Sequence, residues 1–289
     1  AFDTIETPFG KVDKALGGSA TYASFAASLF SKPAILSVIG NDFPDEYLEL
    51  MKKRGIETSG IKVEGKTFHW DGFYEYDMNE AKTRKTELNS LEDFKAQVPQ
   101  EHKGIKHVFL ANIDPEQQLE TLRQMDGPEF VVLDTMNFWI SSKKEHLLKV
   151  IKKADVLLLN DGEARQLFKT VNLVNAANGA LSLGPRAVII KKGEHGALLF
   201  TKEGHFSAPG YPLENIMDPT GCGDCFGGAF IGYLAKTKDL SEKNFRKAVV
   251  YGSVAASYNA EGFGLDKIKS LAMSDIEKRY GEFENIRRF

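Results

Sequence analysis

Disulfide chemistry has little to work with in this sequence. Two cysteines among 289 residues cannot build a cross-linked framework, and a reducing cytoplasm is the expected compartment. No apolar run approaches the roughly 20 residues that a membrane-crossing helix needs. No cationic-then-apolar leader of the secretory type opens the chain. An excess of one charge is also lacking: a formal net charge of -3 gives no electrostatic case for nucleic acid or an anionic membrane. The six histidines fall at no metal-ligand spacing, and there is no low-complexity tract or short-period repeat. What remains is an ordinary globular composition, 42% hydrophobic and 27% charged, long enough for one large α/β domain or two small ones.

Short apolar runs recur at Ala34–Ile39, Val108–Leu110, Phe130–Leu133, Val156–Leu159, Ala187–Ile190 and Ala197–Phe200. They are too short for helices and too uniformly apolar for half-exposed strands, which is how parallel strands covered on both faces look. Amphipathic stretches lie between most of them, as at Phe43–Arg54, Pro115–Met125 and Ser142–Lys153. That alternation predicts a doubly wound α/β sandwich with ligands at the carboxyl ends of its strands. The last third turns helical, with Phe226, Phe230 and Leu234 on one face and Phe245, Val249, Gly252 and Ala256 on another. Gly60–Leu88 breaks the rhythm. There Phe68, Trp70, Tyr74 and Tyr76 alternate with His69, Asp71, Phe73 and Glu75, the period of a small antiparallel sheet. Such an insertion is expected to be a lid or a dimer interface whose aromatic face needs covering.

The most informative segment is Asp218-Pro219-Thr220-Gly221-Cys222-Gly223-Asp224, followed by Cys225-Phe226-Gly227-Gly228. Two glycines flank a small residue where a loop becomes a helix. Backbone N–H groups left unpaired there point out of the positive end of the helix dipole and suit an anion, phosphate above all. Asp224 stands beside that cradle as a candidate base. The plain alternative is a glycine-containing helix start with an acidic residue well placed in its first turn.

The wording of the segment decides between them. D-x-T-G-x-G-D followed by F-G-G resembles the second signature of the ribokinase/PfkB family of small-molecule kinases, with Cys222 where the family usually has Ala. The resemblance spans Asp3 to Gly264 and implies a single three-layer α/β/α domain with a mostly parallel central sheet and an antiparallel β lid at about 60–88. It implies ATP-dependent phosphorylation of a primary hydroxyl of a sugar or nucleoside, with Asp224 as base and the Gly221, Cys222 and Gly223 amides as anion hole. The helix dipole is expected to keep Asp224 ionised. Asn160 and Glu163, by themselves a helix capping box, match the N-x-x-E motif that organises Mg²⁺ through water. Lys191, Gly193, Gly196, Thr220, Gly262 and Gly264 fall on the nucleotide side, and Asp218 near a site for a monovalent cation such as K⁺. On the acceptor side the resemblance places Asp3, Gly17, Gly18, Ser19, Tyr22 and Asp42. Tyr22 stands where Asn is common; it is either a stacking surface for a ring or core. Almost nothing precedes Asp3, so the family's first strand is expected to lie outside the sequence given. A homodimer through the lid's aromatic face is also expected.

Two motifs are decoys. Gly60-Ile61-Lys62-Val63-Glu64-Gly65-Lys66-Thr67 fits the P-loop spelling, yet the residues after Thr67 alternate as a strand, and Glu64-Gly65 looks like a hairpin turn. Cys222-Gly223-Asp224-Cys225 is a C-x-x-C without further cysteines for zinc. Helix-start cysteines have lowered pKa values, which leaves redox sensitivity of the nest as a subsidiary expectation. A non-catalytic sensor on the same fold is the rival reading, though its mark would be loss of the base. A dinucleotide oxidoreductase lacks its early glycine fingerprint here.

Overall fold

The structure, a computed structural model, describes residues 1–286. The chain opens with a hairpin of β1 (Phe2–Thr7) and β2 (Gly10–Leu16), then α1 (Ser19–Ala27), β3 (Ser37–Ile39), α2 (Asp45–Lys53) and β4 (Ile61–Val63). A second hairpin, β5 (His69–Phe73) and β6 (Lys82–Glu87), precedes β7 (His107–Leu110), α3 (Pro115–Gln124), β8 (Phe130–Leu133), α4 (Asn137–Ser142) and α5 (Lys144–Ile151). After β9 (Val156–Asn160) come α6 (Asp161–Phe168), α7 (Leu173–Leu181), β10 (Ala187–Lys191), β11 (Ala197–Thr201) and β12 (His205–Ala208). Three helices close the chain: α8 (Cys222–Thr237), α9 (Glu242–Ala260) and α10 (Met273–Ile286). Among the described residues no helix is long and apolar enough to cross a membrane.

The central sheet runs β12–β11–β10–β9–β8–β7, parallel from β7 to β10 and antiparallel at the β11 and β12 edge. Its middle strands are buried on both faces, as their apolar runs require. Side chains of α3, α5, α6 and α7 fill one face. Those of α8 and α9 fill the other, with Phe226, Phe230, Leu234, Phe245 and Val249 in one cluster. This is the three-layer sandwich expected from the alternation of runs.

The lid is wider than residues 60–88. It runs β2–β1–β5–β6, with antiparallel hairpins outside and parallel β1–β5 pairing between them. Lys11, Asp13 and Lys14 interrupt any apolar alternation in β2, so its strand character was invisible in the sequence. Ile61–Val63 leaves the lid altogether and pairs in parallel with β3. Gly65 turns with φ of +65°, but Glu64-Gly65 is therefore no hairpin turn. A polar chain stitches the lid together. The Thr4 hydroxyl donates to Asp13 (2.7 Å), His69 Nε2 lies 2.9 Å from that hydroxyl, and His69 Nδ1 lies 3.1 Å from Glu87.

The tightest packing is between α1 and α8. A Cβ on Gly228 would sit 2.0 Å from the Ala23 carbonyl oxygen, and one on Gly232 2.9 Å from the Ala27 backbone. Asp224, Gly228 and Gly232 recur every fourth residue on α8, as Ser19, Ala23 and Ala27 do on α1, so the contact faces align. Adding a methyl group there forces the helices apart. We expect Gly228→Ala to cost about 1–3 kcal/mol, as overpacking a tight core does. Thermal unfolding checks this, and an unchanged midpoint would contradict the contact.

Candidate active site

The anion cradle is built by pinning a loop to the end of α9. The Met217 amide donates to the Ala260 carbonyl (2.8 Å), and Asn259 Nδ2 donates to the Thr220 carbonyl (2.7 Å). Asp218, fully buried, accepts the Thr220 amide on one oxygen (2.8 Å) and the Gly264 amide on the other (2.9 Å). Gly221 then takes a left-handed conformation, φ +76°, as the N-cap of α8. A Cβ at Gly221 would fall 2.4 Å from the Tyr22 ring. Among the described residues the N–H groups of Gly221, Gly223 and Asp224 have no protein acceptor, whereas Cys222 donates to the Pro219 carbonyl at 3.1 Å. The Cys222 amide thus leaves the expected donor set, and the Asp224 amide joins it.

Asp224 sits half-buried in the first turn of α8. The Ser19 side chain lies beside its carboxylate and lowers its pKa, though less than burial raises it. Around it the ends of three neighbouring strands contribute polar and charged groups. Asp134 directly follows β8, Asn160 ends β9 and Lys191 ends β10 in register with Asn160. Lys191 Nζ bridges both Asp134 oxygens, at 2.9 and 3.1 Å. Gly223 leaves room for that ammonium, since a Cβ would lie 3.0 Å from Nζ. Glu163, in the first turn of α6, closes a capping box with Asn160 through two 2.7 Å bonds. One lysine thus serves three carboxylates. Burial, reinforced by the negative charge of Asp134, raises the Asp224 pKa to about 7. Burial raises Glu163 to about 7 as well, against the pull of Lys191. Burial alone would lower Lys191, but Asp134 and Glu163 more than offset that and raise it. The helix dipole therefore does not hold Asp224 in the ordinary carboxylate range, contrary to expectation; desolvation beside a like charge prevails.

On the other side of α1 stands Asp3, buried in the lid strand β1. Its carboxylate accepts the Gly18 amide (3.3 Å) and the Tyr22 hydroxyl (3.5 Å). Gly17 lies so close that a Cβ would overlap the carboxylate. Tyr22 is only 1% exposed, its ring backing Gly221. It is core, and offers no stacking face. Asp42 takes the Thr67 amide (2.7 Å) and hydroxyl (2.8 Å), fixing the chain before β5. That contact, with β4 paired to β3, also disposes of the P-loop spelling.

Several contacts escaped the sequence reading. The Tyr74 hydroxyl reaches from the lid to Thr220 Oγ1 at 3.1 Å. Tyr74, one residue of the lid's aromatic face, is therefore turned toward the body, whereas Tyr76 of the same set is exposed. Asn79, in the lid turn, packs on Gly193, whose φ is +55°. Gly196 approaches the Ala208 carbonyl and Gly262 the Lys267 side chain, close contacts that themselves account for the glycines. Asp134 and Asn259 carry no motif, and only their positions at a strand end and a helix end could have marked them. The cysteines behave oppositely to a reactive pair: burial pushes the Cys222 thiol up to about 12 and raises the Cys225 thiol as well, leaving little thiolate.

Among the described residues no three His, Cys, Asp or Glu side chains converge as a metal cage. Asn160, Glu163 and Asp134 nevertheless offer oxygen donors beside the cradle, which suits an ion that keeps most of its water, as Mg²⁺ does.

Comparison with known proteins gives the family and the fold. The family described as pfkB family carbohydrate kinase matches residues 71–268. A cytidine kinase of Thermococcus kodakarensis is 28% identical over 254 residues, 84% of this chain and 88% of its own. A nucleoside kinase structure from Methanocaldococcus jannaschii, an archaeal member of the ribokinase family, superposes with a TM-score of 0.76 at 19% identity, covering 97% of this chain and 95% of its own. An aminoimidazole riboside kinase from Salmonella enterica, solved with aminoimidazole riboside and an ATP analog, gives 0.74 at 17% identity, covering 96% of each chain. The fold is that of ribokinase.

A carboxylate whose folded pKa is raised above its unfolded value destabilises the fold as pH climbs toward the folded value. Asp224→Asn should therefore melt higher than the parent at pH 8, with the gap closing as the pH falls toward 4. Equal midpoints at every pH would contradict the buried-charge assignment.

Proposed function

This chain belongs to the pfkB family of carbohydrate kinases, phosphotransferases with an alcohol group as acceptor, and on that premise we propose that it moves the γ-phosphoryl group of ATP to a primary hydroxyl of a sugar or nucleoside with Asp224 as the base. The observation that carries the reading is Asp224 next to free amides at the start of α8, held near pH 7 by burial. A base tuned to the working pH accepts a proton from the attacking hydroxyl as its bond to phosphorus forms. In a loose phosphoryl-transfer transition state most of the work is orientation and charge stabilisation. The amides of Gly221, Gly223 and Asp224 are placed to receive negative charge on the moving phosphoryl group.

Lys191, anchored on Asp134 and given room by the missing side chain of Gly223, adds a positive charge at the nucleotide side. ATP with Mg²⁺ is expected of the family, and Asn160, Glu163 and Asp134 are the residues to hold that ion through water. When bound, it would neutralise phosphate charge. Thr220, tied to Tyr74, and the Gly262–Gly264 turn, tied through Asp218, frame the same side. A K⁺ ion at Asp218 would use the lone pairs left beyond its two amide bonds. Asp3 is the acceptor clamp, its carboxylate aimed by Gly17 and Gly18 at two hydroxyls, with Ser19 between it and Asp224. The lid, closing through Tyr74, keeps water from competing as acceptor.

Asp224→Asn is expected to lower kcat by ~10²–10⁴-fold with the dissociation constant for ATP little changed. The parent's kcat/KM should rise with pH and level off above about 7, because the base acts deprotonated. Turnover of the variant within a few fold of the parent would contradict the assignment.

A further inference from the structure

The sequence suggested an aromatic surface for a ring at Tyr22, and the structure buries that residue. A different aromatic is free for the task. Trp70 pairs directly with Asp3 across the parallel β1–β5 ladder, so the two side chains leave the same face of the lid. That is also the face from which Tyr74, four residues on, reaches Thr220. The indole is laid flat. A Cβ on Gly72 would lie 2.1 Å from the six-membered ring, so glycine there lets the ring rest on the backbone. The indole N–H donates to Thr83 Oγ1 at 3.0 Å, which fixes its rotation. With the N–H directed sideways, the ring presents its π-face away from the sheet.

Among the described residues no aromatic ring or cation stacks on that face. Trp70 is only partly buried, joins none of the hydrophobic clusters, and makes no ring stack or cation–π contact among the described residues. Large, flat and rigid, beside the carboxylate assigned to the acceptor's hydroxyls, it has the geometry of a base-stacking surface.

We propose that Trp70, seated on Gly72 and locked by Thr83, is the platform on which a planar ring of the acceptor stacks, which makes the preferred substrate a nucleoside and not a free pentose or hexose. The proposal deepens the kinase reading and rests on its assignment of Asp3 to the acceptor. In such a site Asp3 would hold the sugar while the base lies across the indole. A free sugar would lose the stacking contribution and bind more weakly.

The test uses steady-state kinetics with cytidine, adenosine and ribose as acceptors at saturating Mg-ATP. Trp70→Ala should raise KM for both nucleosides about tenfold to a hundredfold, the range expected for one base–aromatic stack. Its kcat and its KM for ATP should stay within a few fold, and any ribose turnover should be unaffected. Trp70→Phe, which keeps a ring, should recover most of the loss. Gly72→Ala, which displaces the ring without removing it, should reproduce the loss. In a Trp139→Phe background, Trp70 fluorescence should be quenched by nucleosides and not by ribose. Nucleoside KM within twofold of the parent in both Trp70→Ala and Gly72→Ala, while Asp224→Asn is still inactive, would overturn the platform and leave the kinase reading standing. A parent enzyme that phosphorylates none of the acceptors while still binding nucleosides with quenching of Trp70 would overturn the kinase reading but keep the platform.

Discussion

The near-backbone contact between α1 and α8 is the constraint on which the site depends. Gly228 and Gly232 have no side chains to hold the helices apart, and Ala23 and Ala27 are the smallest partners that still favour a helix. Because the contact repeats every four residues, the helix starts are brought into line. Ser19 meets Asp224, and the Tyr22 ring fits against Gly221. Two segments distant in sequence, one tied to the lid and one to the central sheet, thus share a single corner. Glycines in helix interiors are unfavourable by roughly 1 kcal/mol each relative to alanine. Here that cost secures the approach of the α1 start to the Gly221–Asp224 turn, the sides proposed for acceptor and phosphate.

Electrostatics at that corner works against the fold. Asp134, Glu163 and Asp224 surround one lysine, and burial pushes two of the three carboxyls to about 7. A protein selected for stability alone would place apolar or singly paired groups there. The arrangement makes sense as readiness for a ligand: a carboxylate near its titration point, amides without acceptors, and an ammonium beside a polyanion's expected path. The lid completes the enclosure through Tyr74 and Asn79, which touch the Thr220 and Gly193 loops.

Much of this was legible in the sequence, for physical reasons. The buried parallel strands announced themselves because both of their faces need apolar residues. The cradle did so because a tight turn into a helix demands a glycine at Gly221. What stayed hidden depends on partners far along the chain. Strand β2 is polar and exposed, so only its pairing with β1 defines it. Asp134 is an unremarkable acid until Lys191, 57 residues later, closes on it. Tyr22 could be placed on a helix but not inside or outside the core, and the ionisation of Asp224 turned on burial that no local pattern reveals. The Cys222 amide was misassigned because the loop's bend onto Pro219 decides where that N–H points.

Burial beside Asp134 holds the Asp224 carboxyl poised at neutrality, and the proposed chemistry rests on it. The direct measurement is a titration of the enzyme labelled with ¹³C at the aspartate carboxyl carbon, the Asp224 signal identified by its loss in Asp224→Asn. A chemical-shift midpoint near 7 is expected. A midpoint near 4, where ordinary aspartates titrate, would contradict it.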